Sequence, residues 1–212
     1  MGTRTFKALV VDDHPFIREA VKMVLKQEHF EVVAETDNGA DAVQLARMHE
    51  PHLIILDIGI PKLDGLEVIT RIKGLKLSCK IVVLTSQSPV FYSMRCRKLG
   101  AAGYISKVDD LAELRKALAT VMSGYTVFPN LDNDSVRHSD MERSEQELIR
   151  ELSDRELIVL QQLAKGMSNL EIGAAMILSN KTISAHKKRL LNKLNVKSQV
   201  GLADFAKRNA LI

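Results

Sequence analysis

Short apolar runs alternate with amphipathic segments over residues 4–124, and this pattern predicts alternating β-strands and α-helices. Five β/α pairs in succession are typical of a parallel, doubly wound α/β sheet. Because crossovers between parallel strands are right-handed, few topologies remain, and we expect the flavodoxin-like strand order 2-1-3-4-5. The predicted strands are residues 6–11, 30–34, 53–56, 80–85 and 103–105, and the predicted helices begin near Pro15, Asn38, Asp64, Pro89 and Asp110.

The pattern becomes purely helical from Leu152 onward. Two capping boxes, each a Ser followed three residues later by a Glu, mark the first two helices. Four short helices with a tight turn between the second and the third are typical of an all-α helix-turn-helix module. The predicted helix starts are Ser153 with Glu156, Ser168 with Glu171, Ser179 or Asn180, and Ser198.

Charge separates a connecting segment from the two units. Residues 126–149 carry 2 basic against 6 acidic residues, whereas residues 150–212 carry 11 basic against 5 acidic residues. A basic tail behind an acidic tether indicates that a nucleic-acid partner, if there is one, belongs to the tail. We therefore expect an α/β domain at 4–124, an acidic linker at 125–149 that is helical only from Ser144, and an all-α domain at 150–212.

Composition excludes several classes of protein. No apolar run approaches the roughly 18 residues of a membrane helix, and acidic residues follow the first strand too soon for a secretory signal. The two cysteines, Cys79 and Cys96, are too few for a disulfide framework or a zinc knuckle. We expect free thiols and a cytoplasmic protein with no membrane partner.

Carboxylates follow two neighbouring strands of the predicted sheet. Asp57 ends the apolar run 53–56, and Asp12 and Asp13 follow the first strand. The carboxyl ends of these strands meet at the edge where open α/β sheets bind ligands. Like charges at this distance require a cation, and Mg²⁺ suits such hard oxygen ligands. The alternative for Asp57 is a structural role as the cap of the next element.

Two more polar residues, Thr85 and Lys107, lie at the ends of the fourth and fifth predicted strands. Carboxylates together with a cation, a hydroxyl and a lysine suit phosphoryl transfer to a carboxylate, with Asp57 as the nucleophile. Lys107 would pair with the phosphoryl group, Thr85 would hydrogen-bond it, and Mg²⁺ would neutralise its oxygens. The expected Mg²⁺ ligands are Asp12 or Asp13, Asp57 and the backbone carbonyl of Gly59.

Residues 6–122 resemble the receiver domain of two-component response regulators. The resemblance implies that Asp57 accepts a phosphoryl group from a histidine kinase or a phosphotransfer protein, and that Asp12 and Asp13 both bind Mg²⁺. It also implies that Thr85 and Tyr104 rearrange afterwards as a switch; for Tyr104 the alternative is a half-buried core aromatic. The matching pieces are Asp12-Asp13-His14-Pro15, Asp57 with Pro61 and Asp64-Gly65, Leu84-Thr85-Ser86, and Tyr104 with Lys107.

Residues 150–212 resemble the DNA-binding domain of the LuxR/NarL/FixJ regulators, through Leu152–Glu156, Leu163–Gly166, Ser168–Ile172, Ser179–Ile183 and Lys187–Leu194. Residues 180–197 hold six basic residues and no acid. This favours insertion of the third helix into the major groove of double-stranded DNA over a merely solvated face. The resemblance places Ser184, Ala185 and Lys188 toward base edges and Lys181, Thr182, Lys187 and Lys193 toward phosphates.

The whole chain is most similar to the virulence and fimbrial regulators of this family, through residues 35–39, 57–69 and 206–209. We therefore expect a homodimeric transcription factor, with RNA polymerase as a further candidate partner. Val200, Leu202 and the last helix either form a dimer seam or close the core of the module. Two other functions stay open: a phosphohydrolase with an aspartate nucleophile, and a DNA-binding regulator that is never phosphorylated.

Overall fold

The computed structural model describes residues 5–130 and 140–212, which form two compact units that divide between Pro129 and Asn130. Each unit is described separately below. The part of the predicted linker at residues 131–139 lies outside the described residues.

The first unit contains a five-stranded parallel sheet with the strand order β2-β1-β3-β4-β5, which confirms the predicted topology. Strand β3 is buried along its whole length, in agreement with its unbroken apolar sequence. Strand β2 extends two residues beyond the prediction, and β5 one residue. The strands are β1 (Phe6–Val11), β2 (Phe30–Thr36), β3 (Leu53–Leu56), β4 (Lys80–Thr85) and β5 (Gly103–Ser106).

A helix follows each strand, and local sequence explains where each begins. Pro15 and Pro89 stand in the first turns of their helices, where the missing N–H is not needed. The side chains of Asn38, Asp64 and Asp110 accept hydrogen bonds from the first turns of theirs. The helices are α1 (Pro15–Gln27), α2 (Gly39–His49), α3 (Gly65–Gly74), α4 (Pro89–Lys98) and α5 (Leu111–Met122).

The chain beyond α5 returns to the sheet before it leaves the first unit. The Val127 N–H donates to the carbonyl of Ala102 at 3.0 Å, and the Tyr104 N–H donates to the carbonyl of Val127 at 2.8 Å. The bridge is parallel and lies on the outer edge of β5. Residues 125–127, which the sequence assigned to the linker, therefore include a contact with the sheet.

The second unit contains the four predicted helices and one more before them. Most of helix α6 falls in the segment assigned to the linker, and it begins four residues before the predicted Ser144. The sequence did not predict this start, because residues 140–144 contain a single apolar residue and show no apolar periodicity. Its last turns are anchored by buried Ile149 and by Glu145, which accepts hydrogen bonds from Arg208 and Asn209. The helices are α6 (Asp140–Arg150), α7 (Asp154–Ala164), α8 (Asn169–Met176), α9 (Asn180–Lys193) and α10 (Gln199–Arg208).

The turn between α8 and α9 is tight and depends on a glycine. A Cβ at Gly173 would lie 2.7 Å from the carbonyl oxygen of Leu178, whose N–H donates back to the Gly173 carbonyl at 2.8 Å. Ile177 takes a left-handed conformation in this turn, with φ at 56°. Both predicted capping boxes are present, and Ser179 rather than Asn180 caps α9.

The last helix closes the core of the second unit. Leu202, Phe205 and Ala206 are buried, whereas Val200 on the same helix is 71% exposed. The sequence left two roles open for this helix, a dimer seam and closure of the core. Leu202 belongs to the core, and Val200 is on the surface.

Cys79 and Cys96 are buried free thiols, as expected. Across residues 5–130 and 140–212, no helix is both long and apolar enough to cross a membrane.

Gly65 sets how closely α3 approaches the loop after β3. A Cβ there would lie 2.4 Å from the Cα of Ile58 and 2.9 Å from the carbonyl oxygen of Asp57. We expect Gly65→Ala to lower the free energy of unfolding of the first unit by about 1–3 kcal/mol, because the backbone must move to admit the methyl group. Urea denaturation of the full chain, followed by circular dichroism, measures this loss.

Gly74→Ala is the matched control, because a Cβ at this helical glycine meets no atom within 4 Å. It should leave stability unchanged or raise it by about 0.4–1 kcal/mol. Equal unfolding midpoints for the two variants would contradict the steric role of Gly65.

Candidate functional site

Four side chains meet at the carboxyl edge of the sheet. Asp12 follows β1, Asp57 follows β3, Thr85 ends β4 and Lys107 follows β5. Backbone hydrogen bonds fix the neighbours in register, since the Asp57 N–H donates to the Val11 carbonyl at 2.8 Å and the Lys107 N–H donates to the Thr85 carbonyl at 2.9 Å. The sequence placed these residues at one edge, and the strand order brings them into contact.

Lys107 joins the two buried carboxylates. Its Nζ lies 2.5 Å from Asp57 Oδ2 and 2.8 Å from Asp12 Oδ2. All three side chains are less than a tenth exposed. One cation thus faces two buried anions, and this leaves negative charge that a further cation would neutralise.

The pKa directions follow from this burial. Burial raises the pKa of Asp12 above its usual value, although the hydrogen bond from Lys107 acts in the opposite direction. Burial also disfavours the charged form of Lys107, but hydrogen bonds to Asp12 and Asp57 outweigh it and raise the pKa of this lysine. Lys107 therefore stays protonated at neutral pH.

The second oxygen of the Asp57 carboxylate is held from the other side. Oδ1 accepts the Thr85 hydroxyl at 2.7 Å and the backbone N–H of Gly59 at 2.9 Å. Tyr104 is buried, and its hydroxyl donates to the Gln87 carbonyl at 2.7 Å, two residues beyond Thr85. Burial raises the pKa of Tyr104, so the phenol remains a neutral donor.

The remaining acid, Asp13, lies at the exposed side of the cluster beside His14. Ligand atoms of Asp12, Asp13, His14 and Asp57 all lie within 4.8 Å of one another. Asp13 and His14 are exposed, so an ion that keeps part of its water shell has access from solvent. The donor set therefore fits a divalent metal ion.

The second unit presents most of its predicted DNA contacts on one surface. Lys181, Ser184, Ala185 and Lys188 are exposed along α9, while Ile183, Leu190 and Leu194 are buried beneath them. Thr182 is half-buried near the N-terminus of α9, where its N–H donates to Ser179 Oγ. Ser184 also accepts a hydrogen bond from Asn169 of α8 at 3.1 Å, which fixes the two helices of the turn relative to each other.

Two predicted phosphate contacts already have partners. Lys187 Nζ donates to Gln199 Oε1 at 2.6 Å, and Lys193 Nζ lies 2.8 Å from Glu156 Oε2. Burial by itself would raise the pKa of Glu156, but hydrogen bonds from Lys193 and Ser153 lower it. The carboxylate is buried, so it holds Lys193 firmly and leaves its charge less available to DNA.

Sequence reasoning missed three groups near these sites. His14 directly follows the two acids, and this adjacency was the signal that it could join the cluster. The Gln87 carbonyl is a backbone group and left no signal. Glu156 had a signal only as part of a capping box, and its partner Lys193 is 37 residues away.

Each of the two units matches the model of a known protein family. The family model for the response regulator receiver domain matches residues 8–119. A second model, for bacterial regulatory proteins of the luxR family, matches residues 150–206. The two matches coincide with the sheet unit and with helices α7 to α10.

Relatives and solved structures agree over nearly the whole length. The virulence transcription regulator BvgA of Bordetella pertussis is 51% identical over 205 residues, which covers 97% of this chain and 98% of BvgA. The fimbriae Z protein of Salmonella typhimurium is 38% identical over 213 residues, which cover 96% of this chain and 97% of that protein. The structure of RcsB from Salmonella enterica serovar Typhimurium, bound to the promoter rprA with the phosphomimetic BeF₃⁻, has a TM-score of 0.72 at 26% identity and covers 96% and 99%.

The two domain matches and the full-length relatives agree, and both predicted folds are present. BvgA is named as a transcription regulator, in line with the predicted function and against the alternative of a phosphohydrolase. This chain therefore belongs to the two-component response regulators that join a receiver domain to a LuxR-type DNA-binding domain.

Proposed function

We propose that Asp57 is the phosphoacceptor through which this regulator controls DNA binding. The observation that carries the proposal is that both oxygens of its carboxylate have a partner: Lys107 pairs with one oxygen, and Thr85 donates a hydrogen bond to the other. In the transfer, a carboxylate oxygen forms the new O–P bond while the N–P bond of a donor phosphohistidine breaks, and the histidine nitrogen keeps the electron pair. Lys107, already beside the carboxylate, would stabilise the added negative charge.

The metal in this site is proposed to be Mg²⁺, held by Asp12, Asp13, Asp57 and the carbonyl of Gly59. Three carboxylates in one cluster support a hard divalent cation. When bound, Mg²⁺ supplies positive charge that offsets the repulsion between the carboxylates and the incoming phosphoryl oxygens.

Thr85 and Tyr104 form the proposed switch. A phosphoryl group on Asp57 offers the Thr85 hydroxyl a stronger acceptor than the carboxylate oxygen that it now contacts. Movement of Thr85 would shift the residues that follow it, including Gln87, whose carbonyl is held by Tyr104. The phosphoryl group would then bias two arrangements of one loop, as a ligand must in order to act as a switch.

For DNA, α9 is proposed as the recognition helix in the major groove. Ser184, Ala185 and Lys188 would face base edges, and Lys181, Thr182, Lys187 and Lys193 would contact phosphates. Lys181 and Lys188 are exposed, which supports a larger contribution to DNA binding from these two lysines than from Lys187 and Lys193. Because Lys193 is paired with buried Glu156, it would contribute the least.

The wider setting is proposed as follows. Residues 4–124 receive the signal in the cytoplasm from a sensor histidine kinase or a phosphotransfer protein. Residues 125–149 link this domain to residues 150–212, which bind promoter DNA. Two copies bind as a homodimer, and RNA polymerase is a further partner. The full-length likeness to BvgA, which is named as a transcription regulator, supports this arrangement.

Loss of the acceptor carboxylate should abolish phosphorylation. Incubation of the full chain with Mg²⁺ and acetyl phosphate should add one alkali-labile phosphoryl group, seen by intact-mass spectrometry, and Asp57→Asn should add none. Asp110→Asn is the matched control, since asparagine caps α5 as well as aspartate does. A phosphoryl group on the Asp57→Asn protein would place the acceptor elsewhere.

Phosphorylation should raise the affinity for DNA. A gel-shift titration with a genomic fragment selected by the full chain should show tighter binding after acetyl phosphate treatment, and the Asp57→Asn variant should not respond. Equal affinity with and without phosphodonor would favour the alternative of a regulator that binds DNA without phosphorylation.

Lys181→Met should weaken DNA binding and reduce its salt dependence, because this exposed lysine is proposed to contact a phosphate. Each phosphate contact contributes about 0.9 to the slope of log affinity against log salt concentration, so the slope should fall by up to that amount. Lys193→Met should change the slope less, because Glu156 already neutralises that charge. Fluorescence anisotropy with a short duplex of arbitrary sequence measures both; a larger slope change for Lys193→Met would reverse these roles.

A further inference from the structure

His14 is turned toward the carboxylate cluster although its own helix does not require this. It occupies the N-cap position of α1, but its side chain makes no capping hydrogen bond. Instead, Nδ1 lies 2.7 Å from Asp13 Oδ1 and 3.4 Å from Asp12 Oδ1. The imidazole is 67% exposed, so packing does not force this orientation either.

The position of Nδ1 has a chemical requirement. Its two neighbours are carboxylate oxygens, which accept but do not donate, so an electropositive partner must lie between the nitrogen and the oxygens. A hydrogen on Nδ1 meets this requirement, because it donates to the carboxylate oxygens. A divalent ion shared by the same atoms satisfies the requirement equally well, and the distances within the cluster allow one.

We propose that His14 is a ligand of the divalent ion in this site and gives it a preference for first-row transition metals, with Mn²⁺ as the probe ion. This inference rests on the proposed metal site beside Asp57. Mg²⁺ binds oxygen ligands and gains little from imidazole. Transition-metal ions accept imidazole nitrogen together with carboxylates, so one added nitrogen donor favours them over Mg²⁺.

The consequence is a receiver whose ion depends on which metals the cell supplies. The three carboxylates bind Mg²⁺, and the same site takes Mn²⁺ more tightly than the carboxylates alone would allow. His14 is thus a residue that determines metal specificity, whereas the chemistry at Asp57 requires only a divalent cation.

The test is electron paramagnetic resonance of the Mn²⁺-loaded full chain, labelled with ¹⁵N-histidine. Pulsed measurements should show a ¹⁵N coupling to Mn²⁺, and His14→Asn should remove it. Titration of the free Mn²⁺ signal should show binding weakened by at least about tenfold in His14→Asn, while the Mg²⁺ affinity, measured by competition, changes little. Asparagine is a favoured N-cap residue, so α1 should form normally.

His49→Asn is the matched control. His49 is the last residue of α2, which runs from the carboxyl edge of the sheet toward the opposite edge, and this variant should keep both the coupling and the affinity. If Mn²⁺ and Mg²⁺ both bind to the wild-type chain but no ¹⁵N coupling is seen, or if His14→Asn keeps the same ratio of affinities, the role of His14 is wrong and the proposed Mg²⁺ site stands. If neither ion binds, both proposals fail.

Discussion

The ammonium group of Lys107, placed between the buried carboxylates of Asp12 and Asp57, is the interaction on which the receiver depends. Two anions with little access to water would repel each other, and a single cation within 2.8 Å of both makes their burial tolerable. The lysine reaches them only because β5 ends at the same edge as β1 and β3. The site is therefore a product of sheet topology: β1, β3, β4 and β5 must pair in this order before the charges can balance.

The sequence predicted most of this fold because its signals were local. The apolar run 53–56 predicted a buried strand, and the prolines and capping residues marked where helices start. Right-handed crossovers left few topologies, and in the expected strand order the carboxyl ends of the strands lie at one edge, so Asp57, Thr85 and Lys107 could be placed together without coordinates. The start of α6 could not be predicted, because its first turns are polar and its anchors, Glu145 with Arg208 and Asn209, are more than 60 residues apart.

Orientation was the other limit of the sequence. A helix start at Pro15 is predictable, but nothing local determines that His14 turns away from the helix N–H groups and toward Asp13. In the second unit, Ser153 and Glu156 indicate a capping box, yet the same Glu156 carboxylate also pairs with Lys193 of α9. The structure thus changes the expected weight of Lys193 among the DNA contacts, and it links a cap on α7 to the position of α9.

The return of the chain at Val127 affects more than the local fold. An outer strand normally exposes a row of N–H groups on which a strand from another molecule can add. Here the Tyr104 N–H is occupied by Val127, and the Ser106 N–H donates to Asp109 Oδ2 at 3.1 Å. The outer edge of β5 thus offers few free backbone N–H donors to a strand from another molecule. Aggregation by extension of the sheet is therefore disfavoured at this edge.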